Sequence, residues 1–181
     1  MLRVDAESKI KFIGKPSIFS FPATLVKTKD DYFKNVKYKW GKAFPNQNRN
    51  DMKRDYLVAE GPNQITNNGN EILLNMWFFR DTTGFTHMEA GTDGTAADAT
   101  QVALVAPLTP RVVIIDIFRL NNVVYWEGLF GKTDATGTWA ELAMWNALTG
   151  GIMGARFVPP STFGKTTSNV ALVSWGVTAT V

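Results

Sequence analysis

The chain of 181 residues carries few side chains able to do covalent chemistry: it has no Cys and one His, His87. Disulfides, thiolate zinc sites, iron–sulfur clusters and thiol nucleophiles are thereby excluded. So is a multi-His metal site within one chain. Thr86, His87 and Glu89 could build a small acid–base site. No Gly-x-Ser-x-Gly nucleophile elbow accompanies them. A half-buried strand histidine with a backbone hydrogen-bond partner is the plainer reading of His87. Glu89, Glu127 and Glu141 are the only glutamates after Glu71. Two carboxylates that converge could hydrolyse a glycoside, yet the chain is short for a sugar groove. Gly131-Lys132-Thr133 and Gly164-Lys165-Thr166 resemble the end of a phosphate-binding loop. The required earlier glycine is replaced by Trp126 in the first and Pro159 in the second. Asp93 and Asp98, with neighbouring Thr, offer oxygen ligands for calcium. Their spacing matches no EF-hand loop, and Asp and Gly there suit turn chemistry. No catalytic residue, cofactor or metal site is assigned, and the chain is not expected to be an enzyme.

One cluster points to binding. Tyr32, Lys34, Lys37, Tyr38, Lys39, Trp40 and Lys42 interleave aromatics with positive charge. Single-strand nucleic-acid binders stack bases on aromatics and track phosphates with lysines. A strand with buried rings and snorkelling lysines is the plainer reading, and nucleic acid is disfavoured as a partner. The third reading is an oligomer contact, because aromatics are enriched in interface cores. Lys34, Lys37, Tyr38, Lys39, Trp40 and Phe44 are the expected interface residues.

The elements that must position these groups read mainly as β. Lys9–Ile13 and Ser17–Phe21 alternate as short strands punctuated by Gly14, Pro16 and Pro22. Tyr32 to Trp40 fits a further strand, and residues 41–54 fit a loop. Asn68 with Glu71 fits an N-cap and its acidic N3 partner, opening one short helix through Ile72, Leu73, Met76 and Trp77. Asp81-Thr82-Thr83-Gly84 ends it. Gly91–Thr100 is small and polar, hence a loop. Arg111–Leu120 and Val123–Glu127 flank Asn121-Asn122, a hairpin signal. Gly137–Trp145, Ile152–Val158 and Asn169–Val181 complete the strands. In the last, Ala171, Val173, Trp175, Val177, Ala179 and Val181 give one continuously apolar face. The expectation is an antiparallel β-sandwich with one short α-helix. No run approaches the ~20 apolar residues of a membrane helix, and the start lacks an apolar signal core. A soluble, uncleaved protein is expected, with no membrane partner.

Residues 1–60 hold thirteen Lys/Arg against seven Asp/Glu, and residues 61–181 hold six against nine, a split of +6 and −3. Such asymmetry fits a nucleic-acid arm or a basic arm that docks on an acidic neighbouring subunit. We therefore divide the chain into a basic N-terminal arm or small subdomain, 1–59, and a β-sandwich domain, 60–181.

One ordered set of motifs goes beyond generic β. It runs Asn63-Gln64-Ile65-Thr66-Asn67-Asn68-Gly69, then Gly91-Thr92-Asp93-Gly94-Thr95-Ala96-Ala97 to Thr100, then Leu104 to Leu108 and Arg111. Gly137-Thr138-Trp139-Ala140-Glu141-Leu142-Ala143-Met144-Trp145-Asn146-Ala147 follows, then Gly150 to Phe157 with Ala155-Arg156-Phe157, then Lys165-Thr166-Thr167-Ser168 and Val170 to Thr178. This order resembles tailed-bacteriophage virion proteins with the pattern N-x-I-T-N-x-G, G-T-G-x-T-A, G-T-x-x-E-x-G-L-F-N-A, G-x-x-x-A-R-F, K-T-x-S and V-x-W-x-V-T. Asp93 stands where that pattern has Gly, and Ala143-Met144-Trp145 where it has Gly-Leu-Phe. The resemblance covers about residues 60–181. It implies a non-enzymatic structural protein of the virion, a symmetric homo-oligomer in the tail, baseplate, fibre attachment or neck, with other virion proteins as partners. The alternatives are a receptor- or glycan-binding module of the adsorption apparatus, with Trp139 and Trp145 near exposed loops, or a capsid decoration protein.

Overall fold

The computed structural model describes residues 11–34, 53, 55–76 and 84–180. Eleven strands and two helices are described. In chain order they are β1 Lys11–Pro22, α1 Lys29–Asp31, β2 Leu57–Glu60, β3 Gln64–Ile65, α2 Asn67–Leu74, β4 His87–Gly91, β5 Pro107–Leu120 and β6 Val123–Phe130. Then come β7 Gly137–Trp139, β8 Glu141–Trp145, β9 Met153–Phe157, β10 Phe163–Lys165 and β11 Asn169–Thr180. Nine strands form one antiparallel sheet in the order β2-β1-β11-β6-β5-β4-β8-β9-β3, and β7 pairs with β10 in a second, small sheet.

The large sheet curls because β5 serves two neighbours in turn. Its first half pairs with β4 and its second half with β6, with register irregularities in both ladders. Such irregularities bend a strand and raise its twist. Two halves result, β2-β1-β11-β6 and β4-β8-β9-β3, and they face each other across one core. Trp126, Val173 and Trp175 from the first half pack with Met88, Leu142, Met144 and Phe157 from the second. Phe157 meets Trp175 edge-on, with ring centroids 6.4 Å apart. Trp139 and Phe163 of the small sheet close the core beside Phe130. The fold is thus the expected mainly β, antiparallel arrangement.

One continuous run makes both ends of the sheet. Leu57–Glu60 pairs with β1, the Gly61 and Asn63 amides still donate to Pro16 and Gly14 of β1, and Gln64–Ile65 then pairs with β9. Few polar backbone groups are left at an edge by this seam.

β1 is one strand of twelve residues, not two short ones. Its register with β11 is unbroken from Lys11↔Thr180 to Pro22↔Asn169. Pro16 fits because its carbonyl accepts from Gly61 at 3.3 Å on the side away from β11. The N–H and C=O of one strand residue point the same way, so the missing N–H falls where β2 has already ended. Residues 11–22 and 57–59, within the expected arm or small subdomain, are members of the large sheet. The charge break at residue 60 is not a break in the sheet.

β11 is buried on both faces from Val170 to Val177. Ala171, Val173, Trp175 and Val177 enter the main core. Val170 and Leu172 enter a second cluster behind the first half, with Phe19, Phe21, Val26 and Tyr32. The expected single apolar face is therefore doubled. A cover supplied by residues 23–33 and Tyr56 is the reason.

Local elements differ in two further places. Tyr32, Phe33 and Lys34 continue helically after α1 instead of opening a strand. Thr28 accounts for this: its hydroxyl accepts from Asp31 N, while the Asp31 carboxylate accepts from Thr28 N, a capping box that starts a helix. The cap of α2 is Thr66, not Asn68. Thr66 is extended, and its Oγ1 accepts from Gly69 N at 3.0 Å while donating to the Met153 carbonyl at 2.7 Å. Glu71 consequently sits two residues past N3. β5 also begins four residues before Arg111. The Asn121-Asn122 turn stands as expected, with Asn121 at φ 55° and Leu120 paired to Val123. Of the expected loop 41–54 only Lys53 is described, and the expected helix end at 81–83 lies outside the described residues.

Candidate functional site

Two charged residues of the phage-like motifs meet on the second half. Glu141 of β8 and Arg156 of β9 are neighbours on its outer face, and both side chains are 0 % exposed. Arg156 Nε donates to Glu141 at 2.9 Å. Its Nη1 donates to the carbonyls of Thr95 and Ala96, at 3.0 and 3.2 Å, and to Gln101 Oε1 at 3.2 Å, while Nη2 reaches the Asp93 carbonyl and carboxylate at 3.4 and 3.5 Å. Glu141 also accepts from the amides of Ala106 and Val105, at 2.8 and 3.2 Å. Two buried charges thereby hold the whole loop from Thr92 to Ala106 against the sheet. A buried charge needs such a partner set, because its hydration is lost.

A second cluster lies beside it. Arg111 of β5 stacks on the Trp145 ring at 3.5 Å, and its Nε lies 3.4 Å from Glu89. Its NH1 donates to the Ala147 and Gly150 carbonyls, at 3.0 and 2.7 Å, which fixes the 146–152 loop. Burial pushes the Glu89 carboxyl above its ordinary range, and Arg111 opposes that. His87 is held by Thr86 Oγ1 at 2.8 Å from Nδ1. Burial, then the Arg111 charge, lowers its pKa below the ordinary 6.5. A side-chain hydroxyl, rather than the expected backbone group, is its partner.

The three carboxylates do not share one site, although Glu89 and Glu141 lie near enough on one face for the Glu141 charge to add to the rise in the Glu89 pKa. Glu127 lies on the outer face of the first half, where Tyr32 Oη donates to it at 2.8 Å and Ser174 Oγ at 3.3 Å. Glu89 and Glu141 share the other face, and each is engaged by its own arginine.

The two Gly-Lys-Thr segments meet in space, and they meet through carbonyls. Lys165 is 2 % exposed, and its Nζ donates to Gly131, Lys132 and Thr166 carbonyls, at 2.8, 3.2 and 3.2 Å. Burial lowers its pKa, with Asp134 acting the other way. This ammonium is engaged by main-chain acceptors where a phosphate loop would present donors. Asp93 and Asp98 each fold back onto the Thr two residues on, accepting from its amide and hydroxyl. Among the described residues no group of three potential metal ligands forms.

Of the expected interface residues, Lys34 is exposed just after α1. Lys37, Tyr38, Lys39, Trp40 and Phe44 lie outside the described residues. Trp139 and Trp145 are buried, at 0 and 4 % exposure. Neither offers a ring face for a sugar. The large exposed apolar side chains sit elsewhere, among them Val102 at 66 %, Val105 and Leu148 at 54 %, and Ile152 at 40 %.

Arg111 and the Glu141–Arg156 pair are what residue types alone did not single out as partners. A signal existed: each is a lone charge inside an apolar run, Ala140-Glu141-Leu142 and Ala155-Arg156-Phe157. Such a charge demands a buried partner. No known protein family, curated protein or solved structure matches the chain.

Proposed function

We propose that the chain is a non-enzymatic structural component of a tailed-phage virion. It assembles there as a symmetric oligomer with other virion proteins, in the tail, baseplate, fibre attachment or neck. One observation carries this reading: three charged residues of the phage-like motifs, Glu141, Arg156 and Lys165, are buried and engaged by each other or by main-chain groups. Those motifs act as rivets of a scaffold. The loops they fix project aliphatic side chains outward, which suits a surface completed by neighbours. The adsorption-module alternative keeps the exposed loops 91–100 and 146–151 but loses the Trp139 and Trp145 faces beside them.

Purified particles from cells carrying this gene test the reading by quantitative mass spectrometry and reconstruction. The expected result is the chain at a fixed copy number that matches a symmetric ring or cluster. Particles that lack the chain, with normal composition otherwise, would overturn it. A position on the capsid shell would replace the tail assignment with the decoration alternative.

A further inference from the structure

A cavity of about 590 Å³ opens at the far end of the β5–β6 hairpin. It is lined by Leu73 and Met76 of the α2 segment, Val124 and Trp126 of β6, and Ala179 of β11, together with Arg119 and Asn122 of the hairpin. That size and lining suit apolar side chains flanked by one anion. Arg119 is exposed, and its Nε donates to the Asn121 carbonyl at 2.7 Å.

The opposite end of β5 carries exposed aliphatic side chains. Val102 and Val105 project from the 92–106 loop, and Leu148 and Ile152 from the neighbouring 146–152 loop. The two loops are joined beneath by Leu104, which packs on Trp145 and Met153. Asp98, in the first loop, is exposed and negative. Its loop is fixed by Arg156, so it keeps one position. Twelve residues of β5 separate Pro107, where this loop ends, from Arg119, a span of up to about 40 Å at the usual strand rise. A copy cannot fill its own cavity with its own loops. Another copy can.

We infer that two copies of this chain meet head to tail. The Val102–Val105 and Leu148–Ile152 loops of one enter the Leu73–Trp126–Ala179 cavity of the next, and Asp98 faces Arg119. Knob and hole lie at opposite ends, so the contact is heterologous and repeats from copy to copy until a ring closes. This deepens the assembly reading above and rests on it for the closed symmetry.

Sedimentation of the full-length protein tests the junction. Val102→Asp with Val105→Asp spoils the knob and spares the hole, and Ala179→Trp fills the hole and spares the knob. Arg119→Glu, on an exposed side chain, replaces Ala179→Trp if thermal melting shows that the latter does not fold. Wild type is expected to sediment as an oligomer. Each variant alone is expected to associate roughly tenfold or more weakly. An equal mixture of knob-spoiled and hole-filled variants is expected to give heterodimers and nothing larger, since each mixed pair keeps one sound junction. An oligomer of unchanged mass in both variants, or a mixture that stays monomeric, removes this junction and leaves the assembly reading standing. A wild type that is monomeric throughout removes the junction too, and particle composition then decides the assembly reading alone.

Discussion

The two halves of the sheet cover their outer faces with opposite chemistry. Behind β1-β11-β6 lies an apolar cover: Val26 and Tyr32 pack on Phe19, Phe21, Val170 and Leu172, with Ala23, Leu25, Phe33 and Tyr56 around them. One buried hydroxyl, Tyr32 to Glu127, orients it. Over β8-β9 lies a loop of small and polar residues, held by Arg156 and Glu141 with only Leu104 as an apolar anchor. The first cover derives from area removed from water and is insensitive to exact geometry. The second derives chiefly from directed bonds to a single guanidinium and carboxylate, with a main-chain bond from Asn67 N to Ala99 O beside them, so losing one charged group releases several contacts at once. A segment need not be apolar to be fixed, provided a buried charge reaches its carbonyls.

Breaking each cover at its anchor gives the largest effects. Arg156→Ala leaves Glu141 buried without its charge partner and should cost about 3–5 kcal/mol, read as a drop in thermal midpoint. Phe21→Ala should cost a similar ~3–5 kcal/mol through cavity formation. Amide exchange separates the two. Arg156→Ala should deprotect the Val105 and Ala106 amides, while Phe21→Ala should leave them protected relative to global unfolding. Equal deprotection in both variants would erase the contrast. The double variant Arg156→Met with Glu141→Met should recover much of the stability, since no buried charge is left. It should not restore protection at Val105 and Ala106, because their carboxylate acceptor is gone.

Tyr32→Phe comes next, at about 1–3 kcal/mol, because Glu127 loses a donor while the ring stays packed. Denaturant unfolding measures it. A loss as large as that of Phe21→Ala would mean that polar anchoring governs both covers.

The smallest effects are in pH. Burial raises the Glu60 pKa, but hydrogen bonds from Lys15, Lys53 and Ser17 outweigh it and bring it to about 2. A depressed carboxylate stabilises the fold above its unfolded value of 4.5, and this is lost as pH falls from there toward about 2. The Lys15 partner is 63 % exposed, so water screens the pair and the gain is on the order of 1 kcal/mol or less. His87 acts in an earlier window. Its folded pKa lies below 6.5, so the unfolded chain takes up the proton first and stability declines as pH drops below 6.5. Glu60→Gln should shrink the lower step, which Asp93 and Asp98 share, and leave the upper step, which His87→Asn removes. Either variant flattening both steps would break the assignment of Glu60 to the lower step and His87 to the upper.

Much of the architecture was legible in local pattern. The Asn121-Asn122 hairpin, the apolar run of β11 and the small-residue loop after Gly91 all express period-two patterning and turn chemistry, which act within a few residues. The misread places depend on distant neighbours. Pro16 sits in mid-strand because β2 ends beside it, forty residues away in sequence. Thr66 outranks Asn68 as the cap because Met153, on β9, takes its hydroxyl proton. Close approach is equally non-local: a Cβ on Gly69 would enter the Gly154 carbonyl, and one on Gly154 the Phe85 ring. In the candidate site the lone charges were visible, but which met which was set by the β8–β9 register.

The position of β11 bears on synthesis. It is hydrogen-bonded to β1 on one side and β6 on the other, and it supplies side chains to both apolar clusters. A nascent chain must therefore hold β1 without its long neighbour until more than 140 further residues have been made. A ribosome that stops before Asn169 releases a polypeptide lacking the wall shared by its two interiors. Such a product has no way to finish either cluster, so incomplete copies are sorted from complete ones by the ability to fold at all.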